Sequence, residues 1–188
     1  MRAIEQIAIK TRDIAKRIKD VGLMYPFNGH MTQNAEETKW ILDRVNAVNI
    51  YLHPNYSKAA VGSQFAVQLA FNYDIIPNRE LELIQLLNGE TVQLMQGEPG
   101  EGLSHLGYHI PDTDRLIQEL EWWNVLGYIV AQVSVTTDHT GTSKRYMYAF
   151  IDTRSQIGAF TKVIARMSYS RELDSLVGEY SHVNTLRP

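Results

Sequence analysis

The chain has 188 residues, 44% of them hydrophobic and 21% charged, with a formal net charge of -3. These values suit a globular chain with a sizeable core, and the mildly negative charge argues against nucleic acid or an anionic membrane as a partner. Cysteine is absent, which excludes a disulfide scaffold, a thiolate metal site and a cysteine nucleophile.

Residues 3–10 are rich in Ile and partly alternating, and they predict a strand. Asp13 then opens a helical stretch that puts Ile14, Ile18 and Val21 on one side and ends near Gly22. Residues 25–38, with Pro26 and Gly29, read as a loop. Residues 40–53 are ambiguous, because Ile41, Val45, Val48 and Ile50 would serve a helix or two strands; a strand is expected over 46–53. Turn chemistry at 54–63 and 74–78 separates strands expected over 64–73 and 79–86.

The densest loop signal, Gly97, Pro99, Gly100 and Gly102, falls within 94–103 and marks an internal boundary. Beyond it the pattern restarts with a strand over 104–110. Pro111-Asp112 opens a helix with Leu116, Leu120 and Trp122 or Trp123 on its buried side, and Gly127 closes it. Strands follow over 128–135, 144–152 and 160–166, with a polar loop over 136–143. Residues 168–188 read as a polar tail in which Leu173, Leu176, Val177 and Tyr180 would allow a short helical turn against a partner subunit. No apolar run nears the roughly 18 residues of a spanning helix, and residues 1–10 lack a signal-peptide core, so a cytoplasmic location and no membrane partner are expected.

The restart behaves as a repeat. One constant offset lays Gln6 on His105, Ile7 on Leu106, Ala8 on Gly107, Ile9 on Tyr108 and Asp13 on Asp112. A second lays Glu82-Leu83-Ile84 on Lys162-Val163-Ile164. Each half therefore opens as strand, Asp turn and amphipathic helix, and closes in strands.

Leu103-Ser104-His105-Leu106-Gly107-Tyr108-His109-Ile110-Pro111-Asp112 resembles the opening of a module of the vicinal-oxygen-chelate superfamily, the group of glyoxalases, bleomycin-resistance proteins and related dioxygenases. Phe65 to Phe71 followed by Glu80-Leu81-Glu82-Leu83-Ile84-Gln85 resembles the end of such a module, and Tyr148 to Asp152 with Arg154 and Gly158 resembles the end of a second. The resemblance implies an α+β fold of two tandem βαβββ modules, 3–96 and 97–167, followed by the tail at 168–188, with the strands forming a cup-shaped mixed sheet. It also implies a ligand set drawn from the first and last strands of each module, commonly two His or Gln and two Glu. The corresponding residues here are Gln6, Glu82, His105 and Lys162.

Lys162 departs from that pattern, because a protonated lysine has only donors and cannot ligate a metal. Two readings follow. In one, Lys162 pairs with Glu82 and fills the place of the metal, and the cup binds a small molecule without catalytic metal. In the other, one divalent ion (zinc, nickel, manganese or iron) rests on Gln6, Glu82 and His105, and the protein is a metal-dependent lyase, isomerase or dioxygenase with Glu82 and Lys162 as catalytic candidates. Gln6, His109, Tyr146, Tyr148 and Phe150 share the parity expected of cup-lining, ligand-binding residues. His139 in the 136–143 loop and Lys144 and Arg145 beside it would meet an anionic substrate. The family also admits a homodimer.

Overall fold

The structure is a computed structural model that describes residues 3–24, 40–57, 59–92, 101–139 and 145–167. In chain order it contains β1 (Gln6–Lys10), α1 (Ile14–Met24), β2 (Ile41–Leu52), β3 (Gln64–Asn72) and β4 (Glu80–Asn88). Then follow β5 (Gly102–Ile110), α2 (Thr113–Val125), β6 (Val130–His139), β7 (Tyr146–Ile151), α3 (Arg154–Ile157) and β8 (Phe160–Arg166).

The strands form one mixed sheet in the order β1-β4-β3-β2-β6-β7-β8-β5, which closes on itself because β1 also pairs with β5. The β1–β4 and β5–β8 pairs are parallel, and every other pair is antiparallel. Closure removes both sheet edges and gives every strand an inner and an outer face.

Parity decides what each face carries. Outside, Tyr108, Met147, Ile151 and Val163 pack with Leu116 and Leu120 of α2. Ala70, Leu81 and Leu83 pack with Ile14 and Val21 of α1. Inside, Val45, Phe65, Val67, Ile84, Phe150 and Ile164 belong to a third cluster. The helix starts are built as the sequence signals: Asp13 accepts from the backbone N–H of Lys16 at 2.9 Å, and Asp112 from that of Arg115 at 2.8 Å. Of the tryptophan pair, Trp123 packs on the α2 core while Trp122 is 52% exposed.

Several boundaries differ from expectation. β2 begins at Ile41 rather than at residue 46, since both of its edges are occupied, by β3 and by β6. β6 continues to His139, through residues expected to be loop. Its polar stretch is tolerated because Thr136 lies opposite Ala47 in the ladder and its hydroxyl accepts from the backbone N–H of Tyr146 at 2.8 Å. The one-turn helix α3 has no hydrophobic period to announce it. The loop expected over 25–38, most of the boundary at 94–103 and the tail lie outside the described residues. No helix among the described residues is long and apolar enough to cross a membrane.

Candidate functional site

Gln6, Glu82, His105 and Lys162 stand on the adjacent strands β1, β4, β5 and β8, and two small residues make room for them. In the ladder Ala8 lies beside both Glu82 and His105, and Gly107 lies beside both Gln6 and Lys162. A Cβ at Gly107 would meet Gln6 Oε1 at 2.9 Å, so the glycine is what lets the Gln6 side chain lie across β5. Ala8 and Gly107 are themselves equivalent in the repeat, and four long polar side chains alternate with two short ones.

The four polar groups converge. His105 Nε2 lies 2.9 Å from Gln6 Oε1 and 3.1 Å from Glu82 Oε2, and Lys162 Nζ donates to Glu82 Oε2 at 3.4 Å. His105 and Glu82 are fully enclosed, and Lys162 is 9% exposed.

The hydrogen-bond chain continues to the rim. Gln6 Nε2 donates to Glu80 Oε1, and the Tyr73 hydroxyl donates to Glu80 Oε2 at 2.7 Å. Its logic fixes the His105 tautomer. The Glu80 carboxylate only accepts, so the Gln6 amide must turn its NH2 toward it and its oxygen toward His105. The imidazole then meets acceptors at Nε2, from both Gln6 and Glu82, and carries its proton there. Nδ1 is left to accept from the Ser104 hydroxyl at 3.2 Å.

The charge states follow from the same contacts. Burial by itself would raise the Glu82 carboxyl, but the Lys162 ammonium and the His105 hydrogen bond outweigh it and bring the group down to about 2. Burial, helped by the Lys162 charge and opposed by Glu82, lowers His105 to about 4. Near neutral pH the floor of the site is thus a carboxylate–ammonium pair flanked by a neutral imidazole.

Above this floor lies a cavity of about 230 Å³. Val45, Phe65, Val67, Leu69 and Ile84 supply apolar walls, and Phe71, Tyr73, Tyr146 and Tyr148 supply aromatic ones. Tyr148 is set 5.4 Å from Lys162 Nζ, ring face to cation, and burial pushes its hydroxyl well above the ordinary range. The mouth is marked by the exposed Ile41 and Tyr73. The opposite end of the barrel is filled by a buried polar network. There Gln132 Nε2 donates to Asn49 Oδ1 at 2.8 Å and to Ser134 Oγ at 2.7 Å, and Gln132 Oε1 accepts from Thr91 Oγ1 at 2.9 Å and from the Val92 N–H at 2.8 Å.

Tyr146, Tyr148, Gln6 and His109 all line the cavity, as their parity predicts. His109 is at the mouth, where Nδ1 lies 2.9 Å from Glu5, and takes no part in the floor cluster. Phe150 is a correction: it is fully buried below the cavity, edge-on to His105, Tyr148 and Phe160, and does not line it. One step deeper than Tyr148 along β7, it is sealed off by those neighbours. Arg145 is exposed, while Lys144 and the side chain of His139 lie outside the described residues. Sequence reasoning carried Glu80 and Ser104 only as members of the β4 and β5 motifs, and it did not single out either of them, Tyr73 or the far-end network. The coincidence of Ala8 with Gly107 in the repeat was a usable signal for the packing of the quartet.

The residues present do not fit a divalent metal. Gln6 Oε1, His105 Nε2 and Glu82 Oε2 converge, but the ammonium of Lys162 stands within 3.4 Å of the carboxylate oxygen. It offers no lone pair and would repel a dication placed there. Among the described residues, no three His, Cys, Asp or Glu side chains form a group that could hold a metal ion.

No family model matches the chain, and no curated protein does. Among solved structures it is similar to hypothetical protein BH1468 from Bacillus halodurans C-125, with 17% identity over 90% of this chain and 98% of the other, at a TM-score of 0.48. A mutant of 4-hydroxymandelate synthase from Streptomyces coelicolor shares 12% identity over 91% of this chain and 50% of its own, at 0.47. Methylmalonyl-CoA epimerase from Mycobacterium tuberculosis shares 12% identity over 88% and 92%, at 0.45.

Proposed function

We propose that this chain is a protein of the vicinal-oxygen-chelate type whose two βαβββ modules, 3–96 and 97–167, enclose a metal-free cup that binds a small molecule. The observation that carries this reading is the Lys162 ammonium, 3.4 Å from Glu82 Oε2 at the floor of the cavity. There the lysine supplies the positive charge that a buried carboxylate demands. Chemical competence points the same way. A carboxyl held at about 2 is a feeble base, and an imidazole held at about 4 is uncharged near neutral pH, so it is not an imidazolium acid there. What remains is a polar floor, apolar and aromatic walls and an open mouth, the composition of a binding pocket.

Elemental analysis of the wild type and of Lys162→Glu, each exposed to zinc, nickel, manganese or iron and then desalted, tests the reading. The wild type is expected to retain no stoichiometric metal. Lys162→Glu supplies the missing carboxylate and is expected to retain about one ion per chain. It should also be less stable without metal and recover on metal addition, since its paired carboxylates repel. A stoichiometric ion in the wild type would overturn the metal-free reading and return Gln6, Glu82 and His105 to the role of ligands.

A further inference from the structure

The charge and ring content of the cup name a ligand class, an inference that rests on the cup being a binding site. Asp43, Glu80 and Glu82 line the cavity, while among the described residues Lys162 is the one lysine or arginine that does so. Glu82 and Lys162 offset each other on the floor. Glu80 is different. It stands part-way up the wall, and both of its side-chain partners, the Gln6 amide and the Tyr73 hydroxyl, are neutral. They orient the carboxylate without cancelling its charge.

Around it the wall is aromatic. Phe71, Tyr73 and Tyr146 line the cavity on the same side of the floor as Glu80, and Tyr148 lies deeper. A carboxylate in an aromatic-lined concavity attracts an organic cation through direct charge, and any ring face turned to the cation would add its quadrupole. Among the described residues, an anion would find only a lysine already paired with Glu82.

We infer that the cup takes an amphipathic organic cation: an apolar or aromatic body lies along Val45, Val67 and Leu69, and an ammonium or amidinium group sits near the mouth against Glu80. The cavity of about 230 Å³ limits the body to roughly one ring with a short chain.

Three probes of matched shape test the assignment by calorimetry on the intact chain: phenylpropylammonium, phenylpropanol and phenylpropanoate. The ammonium is expected to bind about tenfold or more tightly than the alcohol, and the carboxylate more weakly than either. The ammonium-to-alcohol ratio should fall toward unity in Glu80→Gln. In the wild type the ammonium's affinity alone should weaken as salt is raised, a readout that does not depend on the variant folding. If the alcohol binds as well as the ammonium, or the carboxylate binds best, the cation assignment is wrong while the cup remains a binding site. If none of the three binds, the cup as a binding site falls and the assignment with it.

Discussion

At the scale of single residues, the site is a problem of buried charge. Glu82 and His105 are both fully enclosed, and each has its titration displaced below its ordinary value, 4.5 for the carboxyl and 6.5 for the imidazole. Both shifts have the same sign for stability. A group whose folded pKa is depressed takes up protons more readily in the unfolded chain, so stability is lost as pH falls from the unfolded value through the folded one. Two overlapping windows result, from about 6.5 to about 4 for His105 and from about 4.5 to about 2 for Glu82. Urea midpoints measured against pH should therefore begin to fall below pH 6.5, ahead of ordinary carboxylate titration. His105→Gln should shrink the upper part of that decline, to which His53, also lowered by burial, contributes the same sign, and leave the lower part. A flat profile between pH 6.5 and 4 in the wild type would contradict the enclosed neutral imidazole. The positions of this quartet were legible in the sequence, because the repeat aligned Gln6 with His105 and Glu82 with Lys162. The tautomer was not, because it depends on Glu80 turning the Gln6 amide, a contact between strands that no local pattern encodes.

At the scale of elements, the sequence was clearest where one face of a segment meets water. Helix α2 shows this: Leu116 and Leu120 recur at helical spacing, Asp112 caps the start, and Gly127 at φ 84° adopts the left-handed turn that ends it. β2 and β6 were harder because their alternation is broken by register shifts, between Asn46 and Ala47 and between Asn49 and Tyr51. Each shift changes which residues face inward and blurs the period of two. The seam between β1 and β5 gives the prediction for this scale. In Gly107→Ala the new methyl would lie 2.9 Å from Gln6 Oε1 and 3.2 Å from Gln6 Cβ. Gln6 cannot simply swing aside without giving up its contacts with Glu80 and His105. A loss of about 1–3 kcal/mol is expected from this overpacking. In a Gln6→Ala background the same substitution should cost much less, and a double-mutant cycle by denaturant unfolding measures the difference. Equal costs in the two backgrounds would show that Gly107 is not there to make room for Gln6.

At the scale of the whole molecule, closing the sheet creates an interior with two ends, and the chain treats them differently. One end holds Asn49, Gln132, Ser134 and Thr91, all fully buried and bonded to one another. The other opens between Ile41 and Tyr73. A satisfied polar plug is stable because each desolvated group keeps a partner, and it becomes costly as soon as one partner is removed. Gln132→Leu would deprive Thr91 Oγ1, the Val92 N–H, Asn49 Oδ1 and Ser134 Oγ of a partner each. Ser134 Oγ still donates to Asn49 Oδ1, so Thr91 Oγ1 and the Val92 N–H are the groups left unsatisfied. At about 1–3 kcal/mol for each, a total loss of about 2–6 kcal/mol is expected in urea unfolding, with the affinity for phenylpropanol less affected in the chains that remain folded. Leu69→Trp acts on the other end. It places a large ring in a cavity of about 230 Å³ and should abolish phenylpropanol binding by calorimetry, while the open mouth lets the ring settle at little cost in stability. The two substitutions separate what closure does for the fold from what it does for the ligand. If Gln132→Leu removed binding as completely as Leu69→Trp at temperatures well below its unfolding midpoint, the plug would be part of the site. The cavity floor would then have to be redrawn to include Asn49 and Ser134.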